Sequence, residues 1–315
     1  MKSVFATPLR SSASEDMRRN VAGAIRNALT VDVEDYFQVA AFARQIEPAT
    51  WDSFSLRVET NTHRLLDLFD EHAVQGTFFV LGWVAERCPE LVREIAKRGH
   101  EVACHGYAHQ LVYSQTPAVF REETIRAKAC LEDQVQRAVL GYRAASYSIV
   151  KRSLWALDTL VELGFSYDSS IFPVRHDRYG IPGSPRWPYR LTMQNGGSIV
   201  EFPPSTMALM EYRLPIAGGG YFRLYPYWFS RFALGRINAS EGQPFMFYLH
   251  PWDLDPEQPR IRAGLLSTIR HYTNLSRCEE RLRRLLATFR FAPAQSVLET
   301  LVIQDIGAIG HASAA

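Results

Sequence analysis

The sequence lacks the long apolar run that a membrane-spanning helix requires. No stretch of its 315 residues approaches the roughly 18 apolar residues of such a helix, and the opening MKSVFATPLRSSASEDMRRN contains no signal-peptide core. Cysteine is also scarce, and the four cysteines form no CxxC pair, which fits reduced thiols better than a disulfide framework. We therefore expect a cytoplasmic protein without an integral membrane segment.

An excess of charge of either sign is also missing. The 35 basic and 33 acidic side chains leave a net charge of +2, which provides no general attraction for a polyanion. Basic residues do cluster at 281–284, but Glu279 and Glu280 precede them, so we interpret this segment as a solvated helix face. We expect no nucleic-acid partner.

The order of segments along the chain predicts an α/β fold. Residues 1–27 are polar and without periodicity, which is typical of a flexible leader. From residue 28 onward, short apolar segments alternate with helical patterns, and this alternation predicts a mostly parallel sheet with helices outside it. The segments with the pattern of strands are 28–35, 76–82, 100–105, 138–144, 165–170, 198–204 and 244–250. They are numerous enough for a closed or nearly closed barrel.

This barrel is expected to occupy residues 28–290, with a loop insertion around 174–230 and a C-terminal segment at 291–315. The insertion is rich in proline and glycine, as in RYGIPGSPRWPYR. We interpret it as long loops over one face of the barrel, with a small hairpin among them. Such loops are where substrate specificity usually resides.

Ionisable side chains stand at the ends of the predicted strands. Catalytic groups of α/β barrels lie at the carboxyl ends of the strands, so these side chains are candidate site residues. They are Asp32, Glu34 and Asp35 after the first strand, His105 after the third, Arg143 after the fourth, Asp168 after the fifth and His250 after the last.

The segment HGYAH at 105–109 is the strongest candidate for a metal site. Its two imidazoles can bind one metal ion if the residues between them form a turn, which Gly106 favours. Two neutral imidazoles with one carboxylate leave open positions for water and substrate, as in catalytic metal sites. Alternation along the first strand places Asp32 and Glu34 on one face, where one can bind the metal and the other can act as general base. Asp35 can also reach the metal if the strand ends at Glu34.

Four further residues suit supporting roles. Arg143 can pair with a carboxylate and keep it ionised, and Asp168 is a candidate counter-ion for Arg143. His250 follows a very apolar strand and precedes a proline, which suits a general acid for a leaving amine. Trp252 lies two residues further on, so we expect it in the wall of the pocket.

Six motifs, in order over residues 28–289, give the sequence a family resemblance. They are TVDVEDYFQV, GTFFVLGWVAE, HEVACHGYAH, GYRAASYSI, YDSSIFP and YLHPWDLDP. With them the chain resembles the NodB-type polysaccharide deacetylases of carbohydrate esterase family four, and most closely the branch found with exosortase and exopolysaccharide loci. This resemblance implies a distorted (β/α)7 barrel of the NodB-homology type and a divalent metal ion, expected to be zinc.

The same resemblance implies roles for the strand-end residues. It implies a general base, Asp32; a general acid, His250; two metal ligands, His105 and His109, with Glu34 or Asp35 as the third; and two residues that tune the base, Arg143 and Asp168. We also expect Tyr147 and Trp252 to contact substrate. The branch often carries a glutamate after HPW, and Asp253 stands there in this chain, which implies a weaker supporting role at that position.

These patterns together predict a metal-dependent hydrolase that removes N-acetyl groups from an exopolysaccharide or its precursor. Its partners would be an N-acetylated polysaccharide or oligosaccharide substrate and the exopolysaccharide machinery. One alternative is an allantoinase-like hydrolase of a small cyclic amide, which needs a closed pocket, whereas the loops at 174–230 suit an open groove or a lid equally well. Another is a non-catalytic carbohydrate-binding protein, which has no need for this set of histidines and acids.

Overall fold

The computed structural model of the chain describes residues 25–193 and 196–308. Residues 1–24 of the predicted leader and residues 309–315 of the predicted C-terminal segment lie outside this range. The first strand begins at Arg26, two residues before its predicted start, and it ends at Val33. Glu34 and Asp35 therefore follow the strand, in the turn after it.

Parallel strands form the centre of the fold. The strands are β1 Arg26–Val33, β2 Thr77–Val80, β3 Glu101–Cys104, β4 Gly141–Tyr142, β5 Tyr167–Asp168, β6 Tyr189–Thr192, β7 Ser198–Glu201, β8 Thr206–Leu209, β9 Tyr212–Pro215, β10 Met246–Leu249, β11 Arg290–Ala292 and β12 Gln304–Ala308. The order β10-β1-β2-β3-β4-β5-β7 is parallel throughout, so the carboxyl ends of these strands share one edge. This arrangement confirms the predicted distorted (β/α)7 barrel.

The helices lie between consecutive strands, as the alternation of the sequence predicts. They are Val58–Glu71, Gly82–Arg87, Pro89–Lys97, Pro117–Val135, Trp155–Glu162, Gly219–Leu224, Tyr227–Glu241, Leu265–Tyr272, Cys278–Thr288 and Ala294–Leu298. The helix that starts at Pro117 shows why these boundaries fall where they do. The side chain of Thr116 accepts a hydrogen bond from the Val119 amide, and the proline occupies the first turn, where no amide donor is needed.

The predicted insertion contains two antiparallel hairpins as well as loops. β6 pairs with β7, which is itself one of the barrel strands, and β8 pairs with β9. Two strands near the end of the chain extend the sheet, because β11 pairs with β1 and β12 pairs with β6.

Within residues 25–193 and 196–308, no strand hydrogen bonds join β10 to β7. The barrel is therefore open between these two strands. The chain after β7 covers the exposed edge of β10. The Met246 amide donates to Ser205 Oγ (2.8 Å), and the Tyr248 amide donates to the Ala217 carbonyl oxygen (2.7 Å). Gly218 forms a further bridge to Tyr248. Backbone groups that an edge strand would leave unpaired are thereby satisfied.

Alternation along β1 determines where Asp32 points. Leu29 and Val31 belong to the larger hydrophobic cluster that the helices cover. Ala28 belongs to a second cluster, which takes residues from strands all around the barrel and fills its interior. Because side chains alternate along a strand, Thr30 and Asp32 lie on the same side as Ala28. Asp32 therefore stands above the interior cluster, at the carboxyl edge.

No helix among the described residues is both long enough and apolar enough to cross a membrane.

Replacing Gly218 with alanine should destabilise the fold. A Cβ atom at this position would lie 1.9 Å from the Tyr248 carbonyl oxygen, and the φ angle of +133° is rarely adopted by residues with a side chain. We expect the free energy of unfolding to fall by at least about 2 kcal/mol, measured by urea denaturation. Gly264→Ala is the matched control, because Gly264 has a φ of −60° and no neighbour that a Cβ atom would meet. Equal stability of the two variants would contradict this account.

Candidate active site

A cavity of about 240 Å³ lies at the carboxyl ends of β1, β3 and β10. Its wall contains most of the predicted site residues: Asp32, Glu34, His105, His109, Tyr147, His250 and Trp252. Three others, Asp35, Arg143 and Asp168, are fully buried behind this wall. The fold thus gathers the strand-end residues, but it divides them between the cavity surface and the layer beneath it.

His105, His109 and Glu34 form a group suited to a metal ion. One ligand atom from each residue lies within 4.8 Å of the other two. Gly106 supplies the turn between the histidines with a φ of +76°, and its carbonyl oxygen accepts a hydrogen bond from the Gly82 amide (2.9 Å). Two imidazoles and one carboxylate that converge at an open cavity fit a divalent cation with room for water or substrate.

Hydrogen bonding determines which nitrogen of His105 is available to a metal. Nδ1 lies 2.8 Å from the carbonyl oxygen of Arg143. Because a carbonyl oxygen can only accept, Nδ1 carries the proton and Nε2 retains a free lone pair. Burial lowers the pKa of His105 to about 4, so the ring is neutral near neutral pH, as a metal ligand must be.

Glu34 is held as a carboxylate by its surroundings. Oε2 lies 2.8 Å from His109 Nε2, and Oε1 accepts a hydrogen bond from the indole N–H of Trp252 (3.1 Å). Burial alone would raise the pKa of Glu34, but the charges of His109, His250 and His105 outweigh burial and lower this pKa to about 2. The side chain is therefore ionised, as a metal-binding carboxylate must be.

Asp35 lies outside the metal group because its carboxylate is already used. Oδ1 accepts a hydrogen bond from the Tyr36 amide (2.8 Å), and Oδ2 accepts from the amides of Arg57 (2.7 Å) and Val58 (2.9 Å). The last two amides stand at the start of the helix Val58–Glu71, where a negative charge is stabilising. Of the two candidates that the sequence left open, the geometry favours Glu34 as the third ligand.

Asp32 is paired with a buried arginine. Arg143 Nη1 lies 2.5 Å from Asp32 Oδ1 and also donates to Thr30 Oγ1 (2.9 Å). Nη2 donates to Ser169 Oγ (3.0 Å), and the guanidinium group lies over the ring of Phe79. Burial would lower the pKa of Arg143, but Asp32 outweighs it and raises this pKa, so the arginine stays charged. This contact fixes the position of the Asp32 carboxylate in the cavity wall.

Asp168, the counter-ion suggested for Arg143, makes its hydrogen bonds with other residues, although the charge of Arg143 acts to lower its pKa. Its role in tuning the base stays a prediction. The register of β5 and β7 places Asp168 directly opposite Glu201, and the two carboxyl groups share a hydrogen bond. Asp168 Oδ1 also accepts from Ser170 Oγ (2.5 Å). Burial raises the pKa of Asp168 to about 6, and burial together with Asp168 raises the pKa of Glu201 well above its usual value. We infer that the two acids hold a proton between them.

His250 is supported by two residues whose importance the sequence did not reveal. Its Nδ1 lies 2.9 Å from Asp253 Oδ2, and Asp253 Oδ1 accepts a hydrogen bond from Arg223 Nε (2.6 Å). Burial would lower the pKa of His250, but Asp253 and Glu34 outweigh burial and raise this pKa. Asp253 was expected to have a weak role and Arg223 none. One feature of the sequence does point to Arg223: it is the single charged residue of the aromatic segment YFRLYPYWF.

Trp252 and Tyr147 complete the wall. The Trp252 ring stacks between His250 (centroids 4.5 Å apart) and His271 (4.3 Å), so it positions the histidine as well as Glu34. Tyr147 has a φ of +54°, and its ring contacts that of Tyr248 (5.2 Å). Contact of either side chain with substrate stays a prediction.

Two family models match successive parts of the chain. Residues 48–166 match the family described as Polysaccharide deacetylase. This part of the chain is thus similar to polysaccharide deacetylases. Residues 169–299 match a family described as Domain of unknown function (DUF3473). The family resemblance of the sequence is thereby confirmed.

Curated relatives match about a third of the chain. The chain is 32% identical over 99 residues to a chitooligosaccharide deacetylase of Bradyrhizobium, which covers 31% of this chain and 43% of that protein. It is 28% identical over 120 residues to a peptidoglycan-N-acetylglucosamine deacetylase of Bacillus cereus, which covers 34% of this chain and 44% of that protein. The chain thus spans less than half the length of these relatives.

Solved structures match most of the chain. A probable polysaccharide deacetylase from Pseudomonas aeruginosa PAO1 has a TM-score of 0.55 and 17% identity, over 88% of this chain and 91% of that chain. The Puue allantoinase has a TM-score of 0.55 and 16% identity, over 88% and 90%. At this level of identity the similarity shows a common fold and nothing further.

Replacing Glu34 should weaken metal binding far more than replacing Asp35. Glu34→Gln removes the charged ligand, and we expect the dissociation constant for zinc to rise by more than about 100-fold, since even loss of an outer partner costs 10–100-fold. Asp35→Asn makes the same change at the next residue, outside the metal group, and should retain the affinity. Competition with a chromogenic chelator measures both. Equal losses in the two variants would show that the third ligand is misassigned.

The Asp168–Glu201 pair should make stability depend on pH. Both groups bind protons more tightly in the folded state, so together they stabilise the folded protein at low pH. This contribution is lost as the pH rises through about 6, the pKa of Asp168, and then through the higher pKa of Glu201. In Glu201→Gln one of these groups is absent. Its free energy of unfolding should therefore fall less than that of the wild type between about pH 4 and about pH 8.

Urea denaturation at several pH values measures this difference, with Glu299→Gln as the control, because Glu299 is an exposed acid at a distance from the pair. Curves for Glu201→Gln and the wild type that run parallel over this range would rule out the shared proton.

Proposed function

We propose that the chain is a metal-dependent hydrolase that removes N-acetyl groups from an exopolysaccharide or its precursor. The observation that supports this most directly is the arrangement around one cavity. The His105–His109–Glu34 group lies there between an aspartate held by a buried arginine and a histidine held by a buried aspartate. A base, a metal group and an acid in one cavity are the parts that amide hydrolysis needs.

We assign the role of general base to Asp32. Arg143 occupies Oδ1, whereas Oδ2 makes no hydrogen bond within the described part of the chain. Oδ2 can therefore accept a proton from a water molecule that attacks the acetamide carbon. A divalent cation held by His105, His109 and Glu34 would supply the Lewis acidity that stabilises negative charge on the acetamide oxygen.

We assign the role of general acid to His250. Asp253 binds Nδ1, so the proton to be transferred is the one on Nε2. Nε2 lies 3.7 Å from Glu34 Oε1, which places it beside the metal group. Donation of this proton to the departing nitrogen leaves a free amino sugar and acetate.

The substrate class is supported by the relatives. The Bradyrhizobium and Bacillus cereus proteins are both named as deacetylases, of chitooligosaccharide and of peptidoglycan N-acetylglucosamine. We extend this to an N-acetylated polysaccharide or oligosaccharide here, with zinc as the metal. Association with the exopolysaccharide machinery rests on the sequence motifs. A cytoplasmic location, also part of this proposal, is supported by the four free cysteines.

Acetate release from a panel of N-acetylated oligosaccharides tests the proposal, with chelator and with added zinc. We expect release that chelation stops and zinc restores. Turnover of allantoin without acetate from any glycan would replace this proposal with the small-amide alternative. Glycan binding without any turnover would favour a carbohydrate-binding protein.

Replacing Asp32 with asparagine should remove the base and leave the metal. Loss of general-base catalysis typically lowers a rate by about 10²- to 10⁴-fold, and we expect a fall in kcat of this size with unchanged zinc content. Asp52→Asn, at an exposed position, is the control that should keep the wild-type rate. Undiminished turnover by Asp32→Asn would show that another group is the base.

A further inference from the structure

Two arginines from distant parts of the chain lie in the wall of the catalytic cavity. Arg178 belongs to the insertion, and Arg270 belongs to the helix Leu265–Tyr272. His176 lies in the same wall. Burial lowers the pKa of His176, Asp177 acts against this, and the charges of Arg270 and Arg178 lower it further, so both arginines act on this imidazole.

Neither guanidinium group has a partner within residues 25–193 and 196–308. The acid nearest in sequence, Asp177, lies 2.9 Å from His176 Nδ1 and is itself mostly exposed. The acids deeper in the cavity are already engaged, Asp32 by Arg143 and Glu34 by His109. This contrasts with Arg223, in the same wall, where every guanidinium nitrogen donates a hydrogen bond. The guanidinium groups of Arg178 and Arg270 are therefore available to a ligand.

An isolated surface arginine needs no explanation, because water solvates it. These two come from the insertion and from the helix Leu265–Tyr272, yet the fold brings both to the wall of one cavity. A ligand with negative charge would pair with both guanidinium groups. The planar guanidinium group matches the two oxygens of a carboxylate or phosphate, which gives such a ligand a defined orientation.

A flat aromatic surface lies beside the arginines. The rings of His176 and Tyr179 are stacked, with centroids 3.8 Å apart and an angle of 9° between their planes. The hydroxyl group of Tyr179 lies 3.0 Å from that of Tyr221, which fixes the tyrosine ring. All of these residues line the cavity. Rigid aromatic rings of this kind supply contact area for the apolar face of a ring-shaped ligand at low entropic cost.

We propose that Arg178 and Arg270 bind an anionic group of the substrate, a carboxylate or a phosphate, carried by the N-acetylated sugar or by the sugar next to it. The natural substrate is then an acidic glycan, with a uronic acid or a sugar phosphate beside the acetamide. This inference rests on the proposed deacetylase function, and it adds the charge of the substrate.

Binding to the full-length zinc-loaded chain tests the inference with matched probes. The carboxylate pair is a hyaluronan tetrasaccharide and neutral, fully N-acetylated chitotetraose, and the phosphate pair is N-acetylglucosamine 1-phosphate and N-acetylglucosamine. Exposed ion pairs contribute up to about 1 kcal/mol each, so two arginines should favour at least one acidic probe by about tenfold in dissociation constant. The preference should shrink as salt is raised, because these side chains are solvent-exposed.

The double variant Arg178→Gln/Arg270→Gln should lose this preference. Arg175→Gln/Arg262→Gln is the matched control: it removes the same charge from exposed residues of the two neighbouring segments, outside the cavity wall, and should keep the preference. Preference for the carboxylate probe alone would identify a uronic acid, and preference for the phosphate probe alone a sugar phosphate; either result supports the inference.

Equal affinity of the wild type for acidic and neutral probes would overturn the inference, as would a preference that persists in the Arg178→Gln/Arg270→Gln variant. Failure of the deacetylase function has a different signature, because no probe would release acetate, whereas the binding comparison would still report on the two arginines. Acetate release from chitotetraose without any preference for charge would leave the function intact and exclude the anionic subsite.

Discussion

The site depends on one buried arginine. Transfer of a guanidinium group into the interior costs several kcal/mol unless it is paired and hydrogen-bonded, and Arg143 satisfies this condition through Asp32, Thr30 and Ser169. Its backbone carbonyl oxygen also binds Nδ1 of His105. A single residue therefore positions the carboxylate on one side of the cavity and selects the metal-binding nitrogen on the other.

Much of this architecture follows from local patterns in the sequence. The barrel strands were all located, with shifted ends, because buried parallel strands form short apolar runs between helical segments. The gathering of Asp32, His105, His109 and His250 at one cavity follows from the rule that parallel strands share a carboxyl edge. Neither inference needs knowledge of which side chains touch.

The partners of the buried charges were not predictable in the same way. Asp168 pairs with Glu201 only because β5 and β7 are neighbours in that register, although the strands are separated by a hairpin strand in sequence. The sequence alone also allows Asp35 as a metal ligand. In the structure β1 ends at Val33, and the Asp35 carboxylate accepts a hydrogen bond from Val58 at the start of the helix Val58–Glu71. The partner of each buried carboxylate depends on distances of a few ångströms between segments that are remote in sequence. The pattern of residues along a strand does not contain that information.

The acid and the base are assembled over very different distances along the chain. His250, Trp252 and Asp253 belong to one short turn after β10, whereas the contact between Arg143 and Asp32 spans 111 residues and requires β1 to β4 to be in register. The turn can acquire its shape locally, but the pairing of base and arginine requires strands β1 to β4 to be assembled side by side. The position of the Asp32 carboxylate therefore depends on an intact sheet: a local opening at the two-residue strand β4 would separate Arg143 from Asp32, whereas the turn that contains His250 would keep its contacts.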